Sequence, residues 1–171
     1  MTEPLFWLAP VAALVALLFA TLFFRSMRRQ DEGTPLMRRI GGHVREGAMA
    51  YLRQQYRVMT VVFLGLAGLF AVLAFGLEVQ NSWLPFTLLC GGFFSALAGY
   101  IGMQTATLAS TRTAAAARTS LGESLRVAFR SGAVIGLAVV GLGLANCAGW
   151  FLLVNWLTPA SADGYRMVVV A

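Results

Sequence analysis

The chain contains no lysine, one histidine and two cysteines in 171 residues, and only 12% of its residues carry charge. Each shortage excludes a class of chemistry. Without lysine there is no G-x-x-x-x-G-K phosphate loop, because that motif uses an ammonium to reach the phosphates. His43 is the sole imidazole, and Glu46 is the only metal-type side chain at helical spacing from it, so no metal site is expected. No Ser/His/Asp or Cys/His constellation is recognisable, and no catalytic residue is assigned. Cys90 and Cys147 fall inside apolar runs and read as small buried residues, not as a disulfide or a metal pair. The seven acidic residues all lie outside the long apolar runs. That excludes a small multidrug-type transporter, which needs a carboxylate at membrane depth.

What is plentiful is apolar length. Hydrophobic residues make up 58% of the chain and the mean hydropathy is +0.74, a composition that the surface of a small soluble globule cannot accommodate. Four runs free of charge span 5–24, 58–77, 85–108 and 131–156, each long enough to cross about 30 Å of hydrocarbon as a helix. Backbone groups in lipid must be satisfied within each segment, and the runs lack the two-residue alternation of a barrel. The expected fold is therefore all-α: residues 1–171 form one integral membrane domain of four transmembrane helices, joined by connections at 25–57 and 109–130.

The net charge of +6 sits unevenly. All thirteen basic residues are arginine, eight between Arg25 and Arg57 and four between Arg112 and Arg130. Those two connections lie on the same side after an even number of crossings, and the positive-inside rule makes both cytoplasmic. Both termini then face outward. No basic stripe interleaved with exposed aromatics exists, so nucleic acid is not an expected partner; membrane lipid is. The first run follows Glu3 and precedes its arginines, which marks a retained helix and not a cleaved signal peptide.

Within this frame the spacing of small and basic residues assigns roles. Gly91, Ser95, Gly99 and Gly102 share one face of the third helix, and Gly132, Gly136 and Gly143 repeat the device on the fourth. Small residues let backbones approach, so these faces are expected to pack, first of all the third helix against the fourth. Asn146 is the deepest strongly polar side chain and is read as an interhelical hydrogen-bonding group. Asp31 to Pro35 is punctuated as a turn, after which Met37 to Arg57 regains helical periodicity, with Ile40, Val44, Ala48, Leu52 and Tyr56 on an apolar face. The second helix is thus expected to extend beyond the membrane. Arg45, Arg53 and Arg57, together with Arg112, Arg126 and Arg130, are read as cytoplasmic anchors near anionic headgroups. Ser110 to Glu123 has the composition of a short extra helix interrupted near Gly122.

Ordered motifs on successive elements carry a resemblance. Met37-Arg-Arg-Ile40, Arg45-Glu-Gly-Ala-Met-Ala-Tyr-Leu-Arg53, Ala98-Gly-Tyr-Ile-Gly-Met103, Ala106-Thr-Leu-Ala-Ser-Thr-Arg-Thr113, Gly132-Ala-Val-Ile-Gly136 and Gly141-Leu-Gly143 together resemble the N-terminal region of the membrane pyrophosphatases. Those pumps couple pyrophosphate hydrolysis to proton or sodium transport. The resemblance implies a homodimer of subunits with helices in two concentric rings, the four helices here belonging to the outer ring and meeting the remaining helices of the pump. It implies Mg2+ for the complete protein, held by aspartate-rich motifs that have no counterpart in this sequence, so no cofactor is expected on this chain alone. Ser110 departs from a frequent asparagine, and Asn146-Cys147 interrupts a usually aliphatic run. The location implied is a bacterial inner (plasma) membrane.

Two function classes follow. The chain is read as an N-terminal, structural outer-ring piece of an enzyme and pump; alternatively it is a non-catalytic four-helix membrane interaction protein derived from one. The apolar run Val168-Val-Val-Ala171 reads as the start of a fifth helix and favours the first.

Overall fold

The computed structural model describes residues 4–76 and 83–157. The beginning of a fifth helix at Val168 lies outside them. A 3-10 turn at Pro4–Trp7 leads into α1, Leu8–Arg28; α2 follows at Pro35–Ala71 and closes through a π-helical turn at Val72–Gly76. Then come α3, Leu84–Ala117, and α4, Leu121–Leu157. All four are long and apolar enough to cross a membrane. The protein is an all-helical integral membrane protein.

At the arginine-rich end every helix overruns its apolar run. The connection read as 25–57 contracts to residues 29–34, and the one read as 109–130 contracts to residues 118–120. Local chemistry explains both. Thr34 takes an extended conformation and its hydroxyl accepts the Met37 N–H at 3.3 Å, while Pro35 supplies a preset φ at the first helical position. The chain therefore turns helical some twenty residues before the apolar run begins. Ala114 to Ala117 are strong helix formers, so the expected short helix is instead an unbroken tail of α3. Ser120 accepts the Glu123 N–H at 3.1 Å and starts α4, which places Gly122 inside its first turn and not at a break.

The helices do not close into a bundle. α2 packs on α3, α3 on α4 and α4 on α1, whereas the consecutive α1 and α2 share no extended contact among the described residues. The result is an open layer in the order α2, α3, α4, α1. Its tightest joints are made by glycines. A methyl group on Gly41 of α2 would overlap the Thr111 methyl of α3, and one on Gly92 would lie 2.7 Å from the Phe63 ring. On the other side, a Cβ on Gly141 of α4 would sit 2.8 Å from Leu17 and 3.3 Å from the Ala13 carbonyl of α1. Small Ala13, Ala16 and Ala20 bring α1 close to α4, and Met27 closes the arginine-rich end against Ala109 and Val127.

Candidate functional site

Arg112 sits on the tail of α3, four residues after Leu108, so its guanidinium can turn back along the helix and out to the α1–α2 connection. Nη1 donates to the Leu108 carbonyl at 2.7 Å, Nε to the Gln30 carbonyl at 3.2 Å, and Nη2 to Glu32 Oε1 at 2.6 Å. The Arg112 side chain is 7% exposed and that of Glu32 35%. A buried cation needs partners for its charge and its donors, and the planar fork of arginine supplies several bonds at once. Arg112 is therefore an internal clamp, not a side chain free to reach headgroups as its sequence grouping expects. Arg130 is also engaged within the layer, donating to Ser26 Oγ on α1 at 2.9 Å. Arg53, Arg57 and Arg126 are exposed, and Arg45 is half-buried.

Beside the clamp lies a polar cavity of ≈ 380 Å³, lined by Gln30, Asp31, Arg112, Arg118, Thr119 and Glu123 among others. Asp31 Oδ1 accepts the Gly33 N–H at 3.1 Å, and Gly33 has φ +83°, the left-handed conformation that lets the chain turn here. That backbone bond lowers the Asp31 pKa, with a smaller contribution from Arg38. Because the folded value is depressed, the stabilisation is complete above the ordinary aspartate pKa and disappears as pH falls through the depressed one. Asp31→Asn is accordingly expected to be less thermally stable than wild type at neutral pH and to converge with it in acid. A difference that stays constant down to low pH would refute the linkage.

The predicted packing residues divide into two sets. Gly91, Ser95, Gly99 and Gly102 of α3 line a cavity of about 400 Å³ shared with Gly143 and Asn146 of α4. A Cβ on Gly99 would approach the Tyr56 hydroxyl at 3.1 Å, and one on Gly102 would make an ordinary 3.6 Å contact with Ile135. Tyr56 donates that hydroxyl to the Ala96 carbonyl, tying α2 to α3. By contrast, a Cβ on Gly132, Gly136 or Gly143 would meet nothing within 4 Å. α3 does pack on α4, with Gly143 bordering the cavity that the α3 glycines line, whereas Gly132 and Gly136 are exposed. α4 buries Val127, Val134, Ala138 and Leu142. Asn146 does not make its expected interhelical bond through Oδ1, which is buried without a partner, and Cys147 is exposed on α4, not buried; Cys90 is half-buried.

The expected His43 and Glu46 neighbours lie 3.6 Å apart on an exposed part of α2. Among the described residues, no three His, Cys, Asp or Glu side chains gather where a metal could bind. What this architecture offers is a scaffold: helices held at their arginine-rich end, with open apolar faces.

A family model for the inorganic H+ pyrophosphatases matches residues 14–170. The chain belongs to that family. A relative from Bacteroides thetaiotaomicron, provisionally named a K(+)-stimulated pyrophosphate-energized sodium pump, is 56% identical over 162 residues, covering 95% of this chain and 22% of its own length. A K(+)-insensitive pyrophosphate-energized proton pump from Methanosarcina mazei is 40% identical over 153 residues, covering 88% of this chain and 22% of its own. A second such proton pump, from Moorella thermoacetica, is 43% identical over 147 residues, with 86% and 21% covered. This chain thus spans about a fifth of the length of the curated relatives it matches. No solved structure matches it significantly.

Sequence reasoning missed the residues on which the layer closes: Gly41, Gly92 and Gly141, and the partners of Arg112. Gly41 carried a signal, since it stands about two helical turns before Ala48 and three before Leu52, on the same helix face. Gly92 and Gly141 each neighbour or nearly neighbour a glycine chosen for its regular spacing, and periodicity cannot say which of two adjacent faces is used. The pairing of Arg112 with Glu32 spans eighty residues, and no local pattern encodes it.

Proposed function

We propose that these helices are the outer-ring, structural portion of a membrane pyrophosphatase that couples pyrophosphate hydrolysis to proton or sodium transport. The observation that carries this reading is the family match over residues 14–170, joined to relatives whose names describe pyrophosphate-energized sodium and proton pumps. The arginine-rich end faces the cytoplasm and the far ends of the helices face outward, in keeping with the distribution of arginine. Arg53, Arg57 and Arg126 meet anionic headgroups there, and Arg130 holds the same end through Ser26, while Arg45 is half-buried with its Nε unpartnered. Gly132 and Gly136 receive remaining helices of the pump, and the complete protein works as a homodimer.

Mg2+ belongs to the complete pump, where it would neutralise phosphate oxygens and polarise the bond that breaks. The residues here do not fit it. Asp31 is engaged by Arg38, Glu32 by Arg112 and Glu46 by His43, and these carboxylates do not converge. No catalytic step is therefore routed through them.

The test is Mg2+-dependent pyrophosphate hydrolysis in membranes containing this chain alone and in membranes containing the complete polypeptide. Hydrolysis only with the complete polypeptide is the expected result. Hydrolysis by this chain alone would overturn the structural role, and hydrolysis by neither would favour a non-catalytic membrane interaction protein.

A further inference from the structure

α2 carries a second apolar row on the side away from α3. Gly41, Leu52, Tyr56 and Phe63 turn toward α3, whereas Leu36, Ile40, Val44 and Tyr51 are 66%, 54%, 50% and 62% exposed. The sequence places Ile40 and Val44 with Leu52 and Tyr56 on one face; the structure separates them, because Gly41 and not Ile40 meets Thr111. The exposed four recur at intervals of four, four and seven, the row that lines up along one side of a helix and forms a packing ridge.

Lipid cannot cover most of this ridge. The charge-free part of α2 begins at Val58, and α2 is an unbroken α-helix from Pro35 to Ala71. At 1.5 Å per residue, Val44, Ile40 and Leu36 lie about 21, 27 and 33 Å beyond Val58 along the axis. The headgroup layer adds only about 5–8 Å on each side of the hydrocarbon, and a tilt of about 20° shortens these distances by only about 6%. Arg38, Arg39, Arg45, Glu46, Arg53 and Arg57 in the same stretch forbid drawing it into the bilayer. Three large apolar side chains therefore stand in water with nothing from the described residues over them.

We propose that this ridge is a docking face for an amphipathic helix from the rest of the same polypeptide, lying outside the membrane. The occupant is assigned to that polypeptide because relatives are more than four times as long as the part they share with this chain, and the assignment rests on the pump reading above. Its chemistry follows from the ridge. Exposed Arg39, Arg53 and Arg57 lie about 100° or more round the helix from the middle of the row, on the side that also holds Glu46, so the occupant is defined by a row of apolar side chains against Leu36, Ile40 and Val44, with its polar face turned to water.

The experiment uses the complete polypeptide, in a background without other cysteines, with Val44→Cys on the ridge and Glu46→Cys as reference. Glu46 is 81% exposed and stands at nearly the same height on another side of the helix. Labelling by a membrane-impermeant maleimide should be at least ten-fold slower at Val44→Cys than at Glu46→Cys, and Ile40→Cys should behave like Val44→Cys if the latter does not fold. Equal rates would overturn the proposal. Protection lost on delipidation would assign the cover to lipid, and protection lost on dissociating the subunits would assign it to a second copy; either overturns it. Pyrophosphate hydrolysis in the same membranes separates the two readings. Hydrolysis with equal labelling refutes the docking face alone, and protection without hydrolysis refutes the pump reading while the docking face stands.

Discussion

Arg112→Ala is expected to lower the unfolding free energy by about 3 kcal/mol, the lower end of the range for removing one partner of a buried ion pair. Three acceptors lose their donor together: the Glu32 carboxylate and the carbonyls of Gln30 and Leu108. Glu32 is 35% exposed and can be rehydrated in part, which keeps the loss from being larger. Arg112→Lys should recover only a fraction, because an ammonium replaces the charge without the planar fork that reaches all three acceptors. A double-mutant cycle with Glu32→Gln isolates the pair. The double variant should cost less than the sum of the singles by about 1 kcal/mol or more, as residues in direct contact do. Purified protein unfolded in a graded detergent series supplies the measurement. A loss under about 1 kcal/mol for Arg112→Ala, or strict additivity, would show that the clamp does not hold the arginine-rich end.

The second large effect separates two sets of glycines that look alike in sequence. Gly141→Val and Gly92→Val introduce side chains where a Cβ already lies within 3 Å of Leu17 or Phe63. Behind the Gly141 position stands the Ala13 carbonyl, which cannot rotate away. Overpacking of this kind costs about 1–3 kcal/mol, and here it should fall at the upper end because whole helices must separate. Gly132→Ala and Gly136→Ala meet open space and gain up to about 1 kcal/mol of helix propensity, so the four-helix layer should be unharmed or slightly firmer. In the complete pump the order should reverse in assembly. Gly132→Leu and Gly136→Leu should reduce the yield of assembled, hydrolysing protein, because they would fill the face proposed above to receive other helices. If both sets destabilise equally, or if the leucine variants assemble normally, the division between internal joints and an open face is wrong.

Much of this could be read before any coordinates. Charge-free runs of about twenty residues dictate helices because the bilayer leaves backbone groups no water to bond with, and no side chain elsewhere can change that requirement. The continuation of α2 into the arginine-rich stretch follows from the apolar period after Met37, although its start at Pro35 fell within the stretch read as a turn. Family membership followed from ordered motifs, each tied to its own helix. These are local properties, carried by neighbours in the chain.

The arrangement of the helices is not local. All four are apolar around most of their circumference, so in lipid nothing in the sequence says which side of α4 will face α3; that is decided by which surfaces interlock, and α4 buries Val134, Ala138 and Gly141 while Gly132 and Gly136 stay exposed. The same holds for Arg112. Its charge is plain in the sequence, but whether it anchors at headgroups or folds inward depends on Gln30 and Glu32 arriving beside it, which happens only when α1 and α3 have packed around Met27. Sequence settled the solvent, the helices and the family, because those depend on short-range composition; the open layer, the clamp and the uncovered faces came from tertiary structure, because they depend on contacts between residues far apart in the chain.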